Sequence, residues 1–421
     1  MTSNTLVSEL FHEISKISCI NSHSHLGPEA NRVKAAPDIL EFFGHAYPGA
    51  DLISAGMSKE DMKAATSPGL SMDERWKLFE PYWKWIRLTG FSQCILEGVR
   101  DLLGFDDLTA ANVNQVNEAL QKQCKPGFYH TVLKQRSNIE RSVVNMNDLD
   151  EVDRAFFLPL PRLNRFSMPG SAKGIEEIER DYNVSIGDLK GHVGVIQQVC
   201  RDWSKAKVAG IKLSQSYHRR MDFAEQSEDA AAAIFARLLK GDYAGLNTAE
   251  GKVLEDYLVF ECCRAASDAN LTIQFHQGMR AANFGGMEGC SPAPLTDLMA
   301  TFPEARFDLS HAGYPYLREG AVLGKTFSNV FLNMSWIHII SPHGSRTDLR
   351  EWLRMVPYNK IIAFGDDLTH VEAVYGHLKM ARKNFAVVLA EMMEEGLISE
   401  SVALDIAQAA FYDNPAMVYG V

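Results

Sequence analysis

Short apolar runs recur along this chain, and most are separated by stretches whose apolar residues return every three or four positions. Leu6, Val7, Leu10, Phe11, Ile14 and Ile17 carry helical spacing, so an amphipathic helix opens the chain. The run ISCI follows as a buried strand, which Gly27-Pro28 brings to an end. Seven more β-rich runs lie in NIERSVVNM, AFFLPLPRL, VAGIKLSQSY, LTIQFHQG, ARFDLSHAG, NVFLNMSW and KIIAFGDD. Helical patterns fall between most of them, at Tyr129–Arg136, Gly174–Asp181, His192–Trp203, AAAAIFARLL and VLEDYLVFECCRAASDA. A long helix, EAVYGHLKMARKNFAVVLAEMMEEG, and a terminal one ending near Asn414 follow the last strand. Strand and helix in alternation predict an α/β chain folded as a (β/α)8 TIM barrel. The main competitor, a doubly wound open sheet, is weakened because no glycine-rich nucleotide fingerprint follows any strand.

Between the first and second strands the pattern changes. From about Glu29 to Gly127 the sequence is helical, in EDMKAATS, MDERWKLFEPYWKWIRLTGFSQCILEGVRDLLG and LTAANVNQVNEALQKQC, with Thr109 as the N-cap expected for the last. We read residues 29–127 as a helical insertion that overhangs the barrel mouth. No repeat, low-complexity tract or linker divides the chain, so residues 1–421 are expected to form a single domain.

Composition narrows the partners. The chain is 46% hydrophobic and 23% charged, enough for a large core, and its formal charge of −11 argues against nucleic acid or an anionic membrane. Seven cysteines without a CxxC motif fit a reducing compartment. The first twenty residues lack the apolar stretch of a signal peptide, and no uncharged run approaches a membrane span; a cytoplasmic location is expected.

Candidate chemistry gathers at the C-terminal ends of the expected strands, where barrels of this kind place their active sites. His23 and His25 end the first strand, Lys212 and Tyr217 the fourth, His276 the fifth, His311 the sixth and Asp367 the eighth. In an extended strand His23 and His25 share a face, with Ser22 and Ser24 on the other. A single such histidine is more often structural; four with a terminal carboxylate are hard to explain by packing. Three imidazoles and a carboxylate suit Zn²⁺ or a similar divalent ion with one position open for water. Such an ion brings the pKa of bound water down toward about 7.

HSH after the first strand, FHQG at the fifth, SHAGYPY at the sixth and FGDDLTHVEAVYG at the eighth resemble the amidohydrolase superfamily, and more narrowly its amidohydrolase-2 group. PYWKWIRLTGFSQCILEGVRDLLG, GIKLSQSYHRR and NPAMVYG are similar to the branch holding FluG N-terminal-like and uronate-isomerase-like barrels. The resemblance implies one divalent metal per chain, zinc ahead of manganese, held by His23, His25, His276 and Asp367. His311 becomes a catalytic residue beside the metal-bound water, and Asp367 the proton shuttle. Asp366 stands where the group has a small hydroxyl residue, and strand alternation lets only one of Asp366 and Asp367 face the metal. Lys212 occupies the place of the lysine that bridges two metals in binuclear relatives. It can equally point outward into the helix layer. Homo-oligomers are frequent in the group, though nothing in the sequence marks an interface.

For a small carboxylated substrate, Arg162 and Arg219 are candidates for paired hydrogen bonds to the carboxylate, with Tyr217 and Trp336 as pocket walls. The expected reaction is hydrolysis of an amide or lactone-like bond by metal-activated water. One alternative is decarboxylation of an aromatic or enol acid at the same metal. Another is a uronate-isomerase-like sugar isomerisation, against which His311 counts. A non-catalytic barrel is disfavoured by the full ligand set.

Overall fold

The computed structural model describes residues 4–44, 46–243, 245, 248–280 and 287–421. Eight short strands run in chain order: β1 (Cys19–Ser24), β2 (Ile139–Val144), β3 (Phe157–Pro159), β4 (Gly210–Leu213), β5 (Thr272–His276), β6 (Phe307–Ser310), β7 (Val330–Asn333) and β8 (Ile361–Ile362). Every ladder is parallel, β1-β2-β3 in one set and β4-β5-β6-β7-β8 in the other. Backbone hydrogen bonds join the two sets at both seams. Ala209 N donates to Pro159 O (2.9 Å) and Lys212 N to Pro161 O (2.8 Å), while Ser22 N donates to Phe364 O (3.0 Å) and Asp367 N to His23 O (3.1 Å). These bonds bring the two sets together at both edges, in keeping with the TIM-barrel expectation. β3 is short because Pro159 and Pro161 have no N–H to give to a ladder.

Residues alternate cleanly between inside and outside on the later strands. Ile211, Leu213, Ile273, Phe275, Phe307, Leu309, Val330 and Leu332 pack outward in the main apolar core beneath the helices. Lys212, Gln274, Asp308, Ser310 and Asn333 consequently face inward, where they bond one another. A smaller apolar cluster of Val143, Leu160, Ala209, Phe331, Ile362, Val418 and Tyr419 closes the barrel floor, its last two members belonging to the C-terminal helix Asn414–Tyr419.

Between β1 and β2 the described chain is helical, without a strand, and includes the helices Ala46–Ser54, Met72–Ile86 and Gly90–Gly98. Ser71 caps Met72–Ile86 in a reciprocal capping box with Glu74. The last helix of the insertion begins at Val113 rather than near Thr109, whose carbonyl accepts from Val113 N at 2.9 Å. The insertion is held to the barrel by the long helix Val371–Glu394. A Cβ on Gly376 would sit 1.9 Å from Cys94 O, so only glycine allows that approach to Gly90–Gly98. Arg32 and Glu372 add a buried ion pair across the same junction. Among the described residues no helix is long and apolar enough to cross a membrane.

Candidate active site

The site lies where β1, β5 and β8 end. His23 Nε2 and His25 Nε2 stand 3.1 and 3.0 Å from the same oxygen, Oδ1 of Asp367. Ligand atoms of these three residues lie within 4.8 Å of one another. The register of β1 on β2 is irregular between Asn21 and Ser24, and this bulge re-aims the strand end. The expectation that Ser22 faces away from the histidines therefore needs correction. Ser22 Oγ also points into the barrel, 3.0 Å from Asn333 Oδ1, because the bulge breaks strict alternation.

Asp367 and Asp366 turn opposite ways, although both lie beyond the end of β8, so strand alternation does not set their directions. Asp367 sits at φ 53°, in the left-handed region, which turns its carboxylate to the imidazoles. Asp366 points the other way, accepting from Asn21 Nδ2 and from Leu368 N (2.7 Å), and burial pushes its carboxyl up to about 8. Burial alone would raise Asp367 as well, but hydrogen bonds from His23 and His25 hold it well below the usual carboxylate range. Burial, reinforced by the Lys212 charge, lowers His23 to about 3, so its imidazole is neutral and able to bind a cation. His23 Nδ1 is buried without a hydrogen-bond partner among the described residues. Two imidazoles converging on one carboxylate oxygen fit a divalent ion as their common partner.

His276 and His311 adjoin this group without entering it. His276 lines the same cavity, but its Nε2 is 3.1 Å from Met279 O, and its ring centroid is 4.5 Å from that of Tyr217. The expected fourth ligand is thus held by a loop carbonyl. His311 is 1% exposed; its ring is 5.0 Å from His23, its Nδ1 is 3.3 Å from Ser335 Oγ, and its Nε2 has no hydrogen-bond partner among the described residues. It is not among the residues that line the cavity.

That cavity has a volume of about 620 Å³ and is walled by His23, His25, His276 and Asp367 together with Tyr47, Arg162, Lys212 and Tyr217. Lys212 points inward, not into the helix layer. Its Nζ donates to Gln274 Oε1 and Ser310 Oγ, both at 2.8 Å, and burial lowers its amine to about 7. Arg162 is paired to Lys212 by a parallel bridge, and its Nε donates to Asn145 Oδ1. Two cationic side chains therefore border the cavity.

Two expected substrate contacts lie elsewhere. Arg219 is turned into a separate crevice, where its guanidinium meets Asp256 at 2.7 Å and Glu255 at 3.2 Å. Those acids come from the helix Ala249–Asp268, which local sequence around Arg219 does not announce. Trp336 is fully buried behind the site, 5.5 Å from His311 and 4.1 Å from Tyr47 between ring centroids. It walls a neighbouring space of about 380 Å³ and does not line the metal-side cavity. Sequence reasoning missed Tyr47, which the insertion delivers to the cavity, and Gln274, whose signal was a polar residue between Ile273 and Phe275 on a strand.

A family model described as amidohydrolase matches residues 198–421, more than half of the chain. Protein fluG of Emericella nidulans is 24% identical over 221 residues; the match takes in 50% of this chain and only 25% of that protein. Uronate isomerase of Phenylobacterium zucineum is 22% identical over 464 residues, covering 97% of this chain and 92% of its own. Among solved structures, uronate isomerase of Thermotoga maritima superposes with a TM-score of 0.83 at 15% identity, over 99% of this chain and 98% of that one.

Proposed function

Since the chain belongs to the amidohydrolase family, we propose that it is a metal-dependent isomerase acting on a carboxylated sugar of the hexuronate class. What carries the reading is the coincidence of full-length similarity to uronate isomerases with a cavity that sets two cations beside the candidate metal group. Arg162 and Lys212 suit the substrate carboxylate, the guanidinium by paired hydrogen bonds and the ammonium as a point charge. His23, His25 and Asp367 hold the divalent ion, zinc or manganese, with His276 as the further ligand once it leaves Met279 O. That ion, when bound, polarises the carbonyl and its neighbouring hydroxyl.

The chain's own residues move the proton. In the open-chain aldose, Asp367 takes a proton from C2 and returns it to C1, while a hydroxyl proton passes from O2 to O1. The product is the keto isomer with no atom gained or lost. Tyr217 and Tyr47 border the cavity and suit hydrogen bonds to the substrate's hydroxyls. Burial of His311 supports this reading over hydrolysis, because a residue that orients an attacking water needs a face on the cavity.

Hydrolysis of an amide or lactone-like bond is the second reading. It is favoured by one observation, the partnerless Nε2 of His311 beside His23. Metal-loaded protein is to be incubated with hexuronates and, in parallel, with carboxylated lactones, amides and aryl acids. Formation of the keto sugar supports the isomerase. Acid release from a lactone or amide, with no sugar turned over, replaces it by the hydrolase, and CO₂ release from an aryl acid by a decarboxylase.

A further inference from the structure

Directly beneath the cavity the barrel interior is polar, where a barrel of this kind is ordinarily filled by branched apolar side chains. Lys212, Gln274, Asp308 and Asn333 are all at most 2% exposed. Polar groups at this depth are costly unless paired, so their arrangement asks for a use. Gln274 is the hinge of the arrangement. Its Oε1 accepts from Lys212 Nζ at 2.8 Å, and its Nε2 donates to Asp308 Oδ2 at 2.7 Å and to the Tyr419 hydroxyl at 2.8 Å. An ammonium at one end and a carboxylate at the other fix which way this amide points; reversing it would set like against like at both. Asp308 Oδ2 also receives Asn333 Nδ2 at 3.0 Å and the Tyr419 hydroxyl. Its Oδ1 has no hydrogen-bond partner among the described residues. Ser310 completes the cradle, spending its own proton on Phe275 O at 2.7 Å and so accepting from Lys212.

Tyr419 enters this network from the opposite end of the barrel. It closes the C-terminal helix, crosses the apolar floor beside Val418, and is tied down where Thr272 Oγ1 donates to Val418 O. We propose that Tyr419 and Asp308 are positioning residues, which reach through the barrel floor and, by way of Gln274, hold the Lys212 ammonium in the active-site cavity. The inference rests on the reading above in that Lys212 meets the substrate carboxylate. Around the amine, Asp308 on β6 and Asp367 after β8 favour its charge, while Arg162 after β3 opposes it. His23 on β1 and His276 on β5 also feel the Lys212 charge.

The test uses metal-loaded Tyr419→Phe, which removes one hydroxyl, and Asp308→Asn, which removes the charge. Val418→Ala serves as control, loosening the same terminal helix without touching the network. One measurement follows acetylation of Lys212 by acetic anhydride across pH, read by mass spectrometry. Asp308→Asn is expected to lower the labelling midpoint by about one pH unit, as loss of a nearby carboxylate disfavours the ammonium. Tyr419→Phe should lower it in the same direction by less, and Val418→Ala should leave it in place. A second measurement takes the kinetics on a hexuronate. KM is expected to rise about tenfold in both variants, with kcat within about threefold and metal content unchanged. Labelling that stays put in both variants, or that Val418→Ala reproduces, overturns the proposal. A shifted midpoint with unchanged KM, or with no hexuronate turned over, supports the positioning role and refutes the assignment of Lys212 to a hexuronate carboxylate.

Discussion

His25 Nε2 lies 3.0 Å from Asp367 Oδ1, an oxygen that also meets His23 Nε2 at 3.1 Å, although the histidines and the aspartate come from opposite ends of the chain. Bringing three ligand atoms to one point leaves charged and polar groups that a bound cation satisfies together. His23→Ala and Asp367→Asn are therefore expected to reduce zinc and manganese retention at least about tenfold. His276→Ala should cost less, since its Nε2 is already engaged by Met279 O. Elemental analysis after dialysis checks the order. Chelation should lower the thermal midpoint of the wild type, because a ligand that binds only the folded state stabilises it, and barely change that of Asp367→Asn.

Arg162 borders the cavity while Arg219 is consumed by Asp256 and Glu255. Arg162→Gln should raise KM for a carboxylated substrate about tenfold or more, and leave the affinity for its neutral reduced analogue nearly unchanged. Arg219→Gln should behave differently, leaving KM unchanged and lowering stability, because it removes the guanidinium from buried Glu255 and leaves Asp256 with Lys252 alone. Steady-state kinetics beside urea unfolding separates the two.

At Gly376 a methyl group would meet Cys94 O, a backbone atom that cannot swing aside. Gly376→Ala should destabilise the protein by about 1–3 kcal/mol, the usual range for overpacking, by forcing the insertion off the long helix. The unfolding midpoint should fall with little change in denaturant slope. Equal midpoints would mean that the two helices do not meet as closely as described.

Acid stability should depend on histidines remote from the metal group. Burial lowers His192 and His338 to about 4 each, from an ordinary value near 6.5. His338 donates from Nε2 to Ala363 O and turns Nδ1 to the Asn384 amide, so a second proton there would face a donor. In both residues the unfolded chain binds the proton more readily than the folded one. Their contribution is complete above about pH 6.5 and drains away as pH falls to about 4, at up to about 1.4 kcal/mol per pH unit for each. His192→Gln and His338→Gln should each flatten the pH dependence of the unfolding free energy over that window.

Much of the architecture was legible from periodicity. Apolar residues at alternate positions in GIKL, TIQFH and FDLS announced strands, but that Lys212 turns inward beside Gln274 and Asp308 emerged only from the folded barrel. The insertion was legible because helical spacing ran on where no strand signal interrupted it. Its working residue was not: nothing local distinguishes Tyr47 from any other aromatic residue packed on a helix. Trp336 looked like a pocket wall from its place after β7, yet packing turned it behind His311.

The sequence by itself determined the strand and helix order and the histidine pair, since these follow from spacing along a few consecutive residues, whereas the left-handed backbone at Asp367 turned that carboxylate, and not Asp366, to the histidines. Tertiary structure alone decided the partners. It gave Arg219 to Asp256, His276 Nε2 to Met279 O and Lys212 to a network ending at Tyr419. The physical reason is that a charged or hydrogen-bonding group settles with whichever complementary atom the fold brings within about 3 Å. That atom is commonly supplied by a segment far away in the chain.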